Sequence, residues 1–134
     1  MSNNSYLGNE NLKAAGVKVN WTPEQLDEYI KCSQDPVYFI RNYIKIINLD
    51  KGLVDFNMYP FQEDMVKKIH NNRFTIAKLP RQSGKSTTVI SYILHYILFS
   101  PEVNAAILAH KQEIARELLG KLKVAYEYLP KWLQ

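Results

Sequence analysis

Arg73-Phe74-Thr75-Ile76-Ala77-Lys78-Leu79, running into Pro80-Arg81-Gln82-Ser83-Gly84-Lys85-Ser86-Thr87, is the stretch on which the fold turns. Its first half is short, β-rich and bounded by turn residues, which reads as a strand. Residues 80–84 make a tight polar loop. Behind the loop, Val89, Ile90, Ile93, Leu94, Ile97 and Leu98 describe a helix over 85–99 that is buried on most sides. Ser100-Pro101 stops it. Residues 103–109, with Ala105, Ala106, Ile107 and Leu108, form a continuous apolar run of the kind found in covered parallel strands. From Lys111 a last helix sets Ile114, Leu118, Leu122, Ala125 and Leu129 on one stripe. Strand, loop, helix, strand, helix is the grammar of an α/β fold. The runs 73–79 and 103–109 are expected to lie parallel, joined by a right-handed crossover through the helix.

The loop ends in Gly84-Lys85-Ser86, the core of a phosphate-binding loop. Glycine permits the tight turn that converges backbone N–H groups on phosphate oxygens. Those groups open a helix, whose unpaired amides and dipole also favour an anion. Lys85 supplies a point charge for the β- and γ-phosphates, and the Ser86 hydroxyl can complete a magnesium shell. Gly-Lys-[Ser/Thr] alone arises by chance in roughly one chain in fifteen of this length, so its placement between strand and helix carries the weight. Leu79 stands where the usual first glycine of such loops would be, five residues before Gly84. The loop must then take its shape from Pro80 and from side-chain bonding by Arg81, Gln82 or Ser83. Candidate nucleotide contacts run through Pro80, Arg81, Gln82, Ser83, Gly84, Lys85, Ser86 and Thr87.

Upstream lies a helical lead-in over 21–72. Thr22 caps a helix from Pro23, with Gln25 completing a capping box. Asp35-Pro36 opens a second helix, in which Val37, Ile40, Tyr43, Ile44 and Ile47 recur at helical spacing, so it is expected to run over 36–47 until Lys51-Gly52 breaks it. Residues 53–56 read as a short strand. Pro60 opens a third helix over 60–70, with Phe61, Met65, Val66 and Ile69 on one face. Residues 1–20 are rich in Asn, Ser and Gly, with scattered apolar residues, and read as a flexible arm. The unit over 21–134 is therefore expected to be an incomplete P-loop ATPase domain, a parallel β-α-β-α unit over 73–134 behind a helical layer.

Composition fits a folded domain. Of 134 residues, 46% are hydrophobic and 22% charged, which excludes wholesale disorder. The apolar stretch 89–99 is too short to span a bilayer, and the first residues lack a signal-peptide core, so nothing points to export or to a membrane. The single cysteine, Cys32, cannot form an internal disulfide, and it reads as a small packed residue. A net charge of +4 leans mildly toward polyanionic partners. His70, His95 and His110 are too scattered for a metal site by local spacing. His95 reads as a packed histidine. His110 is better placed, at a strand end, but reads as structural more than functional. Tyr38, Tyr43, Tyr92 and Tyr96 follow helical spacing and read as core or boundary residues.

Arg81-Gln82-Ser83-Gly84-Lys85-Ser86-Thr87, preceded by proline, resembles the deviant phosphate loop of large terminase subunits, the DNA-packaging motors of tailed bacteriophages. The likeness extends to Asn11-Leu12-Lys13, Gly16-Val17, Trp21-Thr22 and Val37-Tyr38-Phe39, which resemble the N-terminal part of the T-even-like branch. Ile107-Leu108-Ala109-His110-Lys111 and the run from Leu129-Pro130 to Trp132-Leu133-Gln134 are similar as well. The resemblance implies the front part of a P-loop NTPase that couples ATP hydrolysis to driving double-stranded DNA into a prohead, in the host cytoplasm. The implied partners are DNA, the portal and prohead, and a small terminase subunit; the implied cofactors are ATP and Mg2+. It implies that Arg81 is an arginine supplied in cis to the γ-phosphate, beside Lys85 as the second catalytic residue. Phe61-Gln62 falls where those proteins carry an aromatic-Gln adenine motif, so Gln62 would read adenine while Phe61 or Tyr59 stacks on it. From the residues alone, Gln62 reads equally as a helix-start glutamine facing water, Phe61 as core, and Arg81 as a solvated loop residue.

A complete ATPase of this kind needs a strand ending in Asp-Glu, the Asp to order magnesium and the Glu to activate water. The only strand candidate after Ser86 ends Leu108-Ala109-His110, without a carboxylate. Ile46-Ile47-Asn48-Leu49-Asp50 imitates the pattern but continues a helical stripe. The chain alone is therefore expected to be inactive, as a truncation, a designed piece or part of a split gene. A non-catalytic nucleotide-binding module and a helicase-like ATPase are the alternatives.

Overall fold

The computed structural model describes residues 4–81 and 83–134. It is a mixed α/β chain of five helices and two small antiparallel sheets among those residues. Helix starts follow the caps. Thr22 Oγ1 accepts from the Gln25 N–H at 3.2 Å while the Gln25 side chain accepts from the Thr22 N–H at 3.1 Å, opening α1 (Pro23–Gln34). Asp35 Oδ1 takes the N–H groups of Val37 and Tyr38, opening α2 (Pro36–Tyr43). Pro60 begins α3 (Pro60–Asn71) and Gly84 precedes α4 (Lys85–Phe99). The last helix, α5 (Gln112–Glu127), lies against α4.

The second helix stops earlier than its apolar spacing predicts. Ile44 is its cap, and Lys45–Asn48 is a strand, β3, paired antiparallel with β4 (Gly52–Asp55). Ile44, Ile46 and Ile47 suit a strand as well as a helix face, and turn chemistry decides between them. The Asn48 side chain accepts from the N–H groups of Asp50 and Lys51 at 2.9 and 3.2 Å, and Gly52 takes a φ of +71°, so 48–52 closes a hairpin. Asp50 is thus an exposed turn residue.

Residues 1–20, expected as a flexible arm, carry a second hairpin. The strands β1 (Ser5–Tyr6) and β2 (Asn9–Lys13) pair antiparallel. It is tied far along the chain: Asn9 Nδ2 donates to Glu127 at 2.8 Å, the Lys13 N–H donates to Gln134 Oε1 at 2.8 Å, and Gln134 Nε2 donates to the Asn11 carbonyl at 2.8 Å.

The expected parallel strand pair is not formed. Among the described residues neither 73–79 nor 103–109 is a strand, and no backbone hydrogen bond joins them. A strand is held by its neighbours' hydrogen bonds, and here neither run has one. Phe74, Ile76 and Leu108 are accordingly 82%, 98% and 93% exposed. Both runs border one cavity of about 360 Å3 against Lys85, Ser86, Val89 and Ile93 of α4. The fourth helix is correspondingly one-sided, not buried on most sides: Ile90, Ser91, Leu94 and His95 are buried, while Tyr96 and Ile97 are exposed.

The core gathers Phe39 and Ile40 of α2, Ile44, Phe56, Val66 of α3 and Leu94 of α4, with Ala125 and Leu129 beyond. His95 packs here, as its apolar setting predicts. Its ring lies 4.9 Å from that of Phe99 and 5.5 Å from that of Phe39, and Nε2–H donates to the Cys32 carbonyl at 2.7 Å. Burial lowers its pKa from the ordinary 6.5, outweighing that hydrogen bond. The unfolded chain therefore takes up a proton near pH 6.5 that the folded chain refuses. Stability should be full above that pH and fall as pH drops toward the lowered value. Urea midpoints should decline from pH 7.5 to 5.5, and less steeply in His95→Gln; an equal decline in the variant assigns the effect to other groups. Cys32 is fully buried, and burial pushes its thiol up to about 12, so it is a packing residue. Tyr38 and Tyr43 are half-buried and donate to the Glu28 carboxylate at 2.9 and 2.7 Å, pinning α1 to α2.

Candidate functional site

The site grows from the junction of the loop with α4. Gly84 holds φ +74° and ψ 15°, a left-handed turn that any other residue would enter under strain. It redirects the chain so that the following residues open a helix with no side chain capping it. The Thr88 N–H and hydroxyl both donate to the Gly84 carbonyl, at 3.0 and 2.8 Å, closing the first turn. The amide groups ahead of Thr88 face the N-terminal end of a fifteen-residue helix, where partial positive charge collects.

Lys85 is exposed, and its Nζ reaches back across the loop to donate to the Leu79 carbonyl at 3.4 Å. Its charge thus spans the loop from end to start. Ser86 is exposed beside it, and its hydroxyl has no hydrogen-bond partner among the described residues. The Ser83 hydroxyl oxygen is buried without a hydrogen-bond partner among the described residues. Thr87 is half-buried, and its carbonyl accepts from the Ser91 hydroxyl at 2.8 Å. Arg81 and Pro80 are exposed on the loop. Gln82, a candidate phosphate contact, lies outside the described residues.

The third helix closes one side. Gln62 is 3% exposed, so the water-facing reading of a helix-start glutamine does not hold. It shares the inner face with Met65 and Val66, at spacings of three and four, while Phe61 turns outward and is exposed. Phe61 is therefore not core. Its ring stacks on that of Tyr59, with centroids 6.0 Å apart and planes within 8°. Tyr59, Phe61, Gln62, Leu79, Pro80, Arg81, Ser83 and Gly84 together line an open, mostly apolar cavity of about 620 Å3, within the size range of small-molecule sites. The aromatic wall thus shares one hollow with the loop ahead of α4, while Lys85 and Ser86 border the other cavity, beside Val89 and Ile93. Tyr59 and Gln62 also border the hairpin beside Asp55, which pairs with Lys45 at 3.9 Å.

Other candidates fall elsewhere. His110 is exposed after the irregular 103–109 run. His70 and His95 come together, with ring centroids 6.1 Å apart, but among the described residues no group of three or more His, Cys, Asp or Glu gathers as a metal site. The burial of Gln62 escaped sequence reasoning, although its 62, 65, 66, 69 spacing is helical. A polar residue on an apolar stripe gives no signal of the backbone groups it will meet. No helix is long and apolar enough to cross a membrane among the described residues. No protein-family model matches the chain.

Proposed function

We propose that the chain binds ATP with Mg2+ as the nucleotide-binding front part of a DNA-packaging motor of the large-terminase type. The single observation that carries nucleotide binding is that the Tyr59–Phe61 aromatic wall shares one cavity with Leu79, Pro80, Arg81, Ser83 and Gly84, and that Gly84 leads directly into the open α4 N-terminus, where Lys85 and Ser86 border the adjoining cavity. In this reading the triphosphate lies on the amides that open α4, with Lys85 against its β- and γ-oxygens, and the base lies toward Tyr59, Phe61 and Gln62. The free Ser86 hydroxyl fits a magnesium ion as one hard oxygen ligand, and such an ion would neutralise developing phosphate charge. Arg81, on the same loop, is the arginine that meets the γ-phosphate.

The motor assignment rests on the Arg81 to Thr87 motif and its flanking likeness. It brings double-stranded DNA, the portal and prohead, and a small terminase subunit as partners, in the host cytoplasm. It also brings the parallel β-α-β-α arrangement, with 73–79 and 103–109 as strands of a larger sheet. Their exposed apolar side chains and missing backbone partners favour that completion. The competing reading is a nucleotide-binding module without turnover, favoured by the absence of a carboxylate at the end of 103–109.

The test is a paired assay on the purified chain. Calorimetric titration should show saturable Mg·ATP binding, and phosphate release should stay at background for want of a water-activating acid. Turnover at motor-like rates would show that a catalytic acid lies within the chain. No saturable binding at millimolar nucleotide would refute the nucleotide site itself.

A further inference from the structure

Gln62 spends its side chain on two backbone groups that sequence separates widely. Its Oε1 accepts from the Tyr59 N–H at 2.8 Å, and its Nε2 donates to the Ser83 carbonyl at 3.1 Å. It is also pressed against the turn that follows, since a Cβ built on Gly84 would overlap its Nε2. Gly84 is required by its positive φ, and a side chain there would also displace the Gln62 amide from its place. Only one N–H and one lone pair of the Gln62 amide remain uncommitted, which leaves little of it to read a base.

The bond to Ser83 has a directional consequence. The Ser83–Gly84 peptide is planar and trans, so its C=O and N–H point in opposite directions. Holding the carbonyl on Gln62 aims the Gly84 N–H away from α3. The Gln62 side chain is itself buried, so this part-buried hydrogen bond holds the peptide from a packed anchor on α3.

We infer that Gln62 is a positioning residue: it locks the Ser83–Gly84 peptide, and so governs affinity for the phosphate chain whatever base is attached. The ligand part of this inference rests on the proposed phosphate role of the loop; the lock itself does not. Two variants separate the parts. Gln62→Ala removes both bonds. Gln62→Glu keeps the acceptor for the Tyr59 N–H, and with it the start of α3, but sets a carboxylate against the Ser83 carbonyl.

Backbone 15N relaxation on the nucleotide-free chain reads the lock. Order parameters at Gly84 and Lys85 should be about 0.85 in the unmodified protein and fall below about 0.6 in both variants. Titration with Mg2+ and tripolyphosphate, ATP or GTP reads its effect. All three ligands should weaken by the same factor, about tenfold, as expected for one buried hydrogen bond, with the ATP-to-GTP ratio unchanged. Unchanged order parameters in the variants would overturn the lock. Unchanged tripolyphosphate affinity with a collapsed ATP-to-GTP ratio would overturn the positioning role and make Gln62 a base reader. If the unmodified chain binds none of the three, the phosphate role of the loop fails and with it the ligand part, while the order parameters still decide the lock.

Discussion

Lys85→Ala is expected to weaken Mg·ATP binding by about a hundredfold or more, equivalent to about 2.7 kcal/mol. Its ammonium is the charge that spans the loop, within hydrogen-bond reach of the Leu79 carbonyl and beside the open end of α4. The helix end contributes partial charges alone, typically worth less than 1 kcal/mol each at an exposed site. A full positive charge against two phosphate groups therefore dominates. If Lys85 meets phosphate in ground and transition states alike, binding and any turnover should fall together. Lys85→Arg should rescue part of the charge but not its point-like fit. Calorimetric titration checks this, and an affinity within fivefold of the unmodified protein would remove Lys85 from the phosphate site.

Arg81→Ala should split binding from chemistry. Arg81 is exposed on the loop, so in the free protein its guanidinium is not committed to a buried partner. If it meets the γ-phosphate as charge spreads over the transferring oxygens, its loss is felt in the transition state. In a form of the protein that hydrolyses ATP, nucleotide affinity should stay within a few-fold while hydrolysis falls by about a thousandfold or more. Arg81→Lys should restore little, since a point charge cannot bridge two oxygens as a planar fork does. DNA translocation should fall in proportion. Normal hydrolysis in Arg81→Ala would return Arg81 to a solvated loop residue.

Local chemistry makes the helix starts legible in the sequence. Thr22 with Gln25, Asp35 with Pro36, Pro60, and Gly84 each announce a helix start through groups within three residues, and each start is where its signal falls. The end of α2 was not legible, because Ile44, Ile46 and Ile47 satisfy both periods and the deciding contact is the Asn48 side chain turning onto Asp50 and Lys51. The hairpin over 5–13 was hidden for another reason. Its anchors, Glu127 and Gln134, lie more than a hundred residues away and leave no local trace. Strand formation over 73–79 depends on neighbours that no propensity supplies. At the candidate site, the turn at Gly84 and the helix start at Lys85 could be read from the sequence, and the structure has both. The burial of Gln62 and its grip on Ser83 could not, because both belong to the packing of α3 against the loop.

Amide chemical-shift mapping of the 15N-labelled chain during titration with Mg·ATP tests nucleotide binding at this site most directly. The expected result is saturable shifts centred on Gly84, Lys85, Ser86 and Thr87, with a second group at Tyr59, Phe61 and Gln62. Mg·tripolyphosphate should reproduce the first group without the second. Shifts absent from Gly84 and Lys85 at saturating ATP, or shifts confined to surfaces away from this cavity, would contradict it.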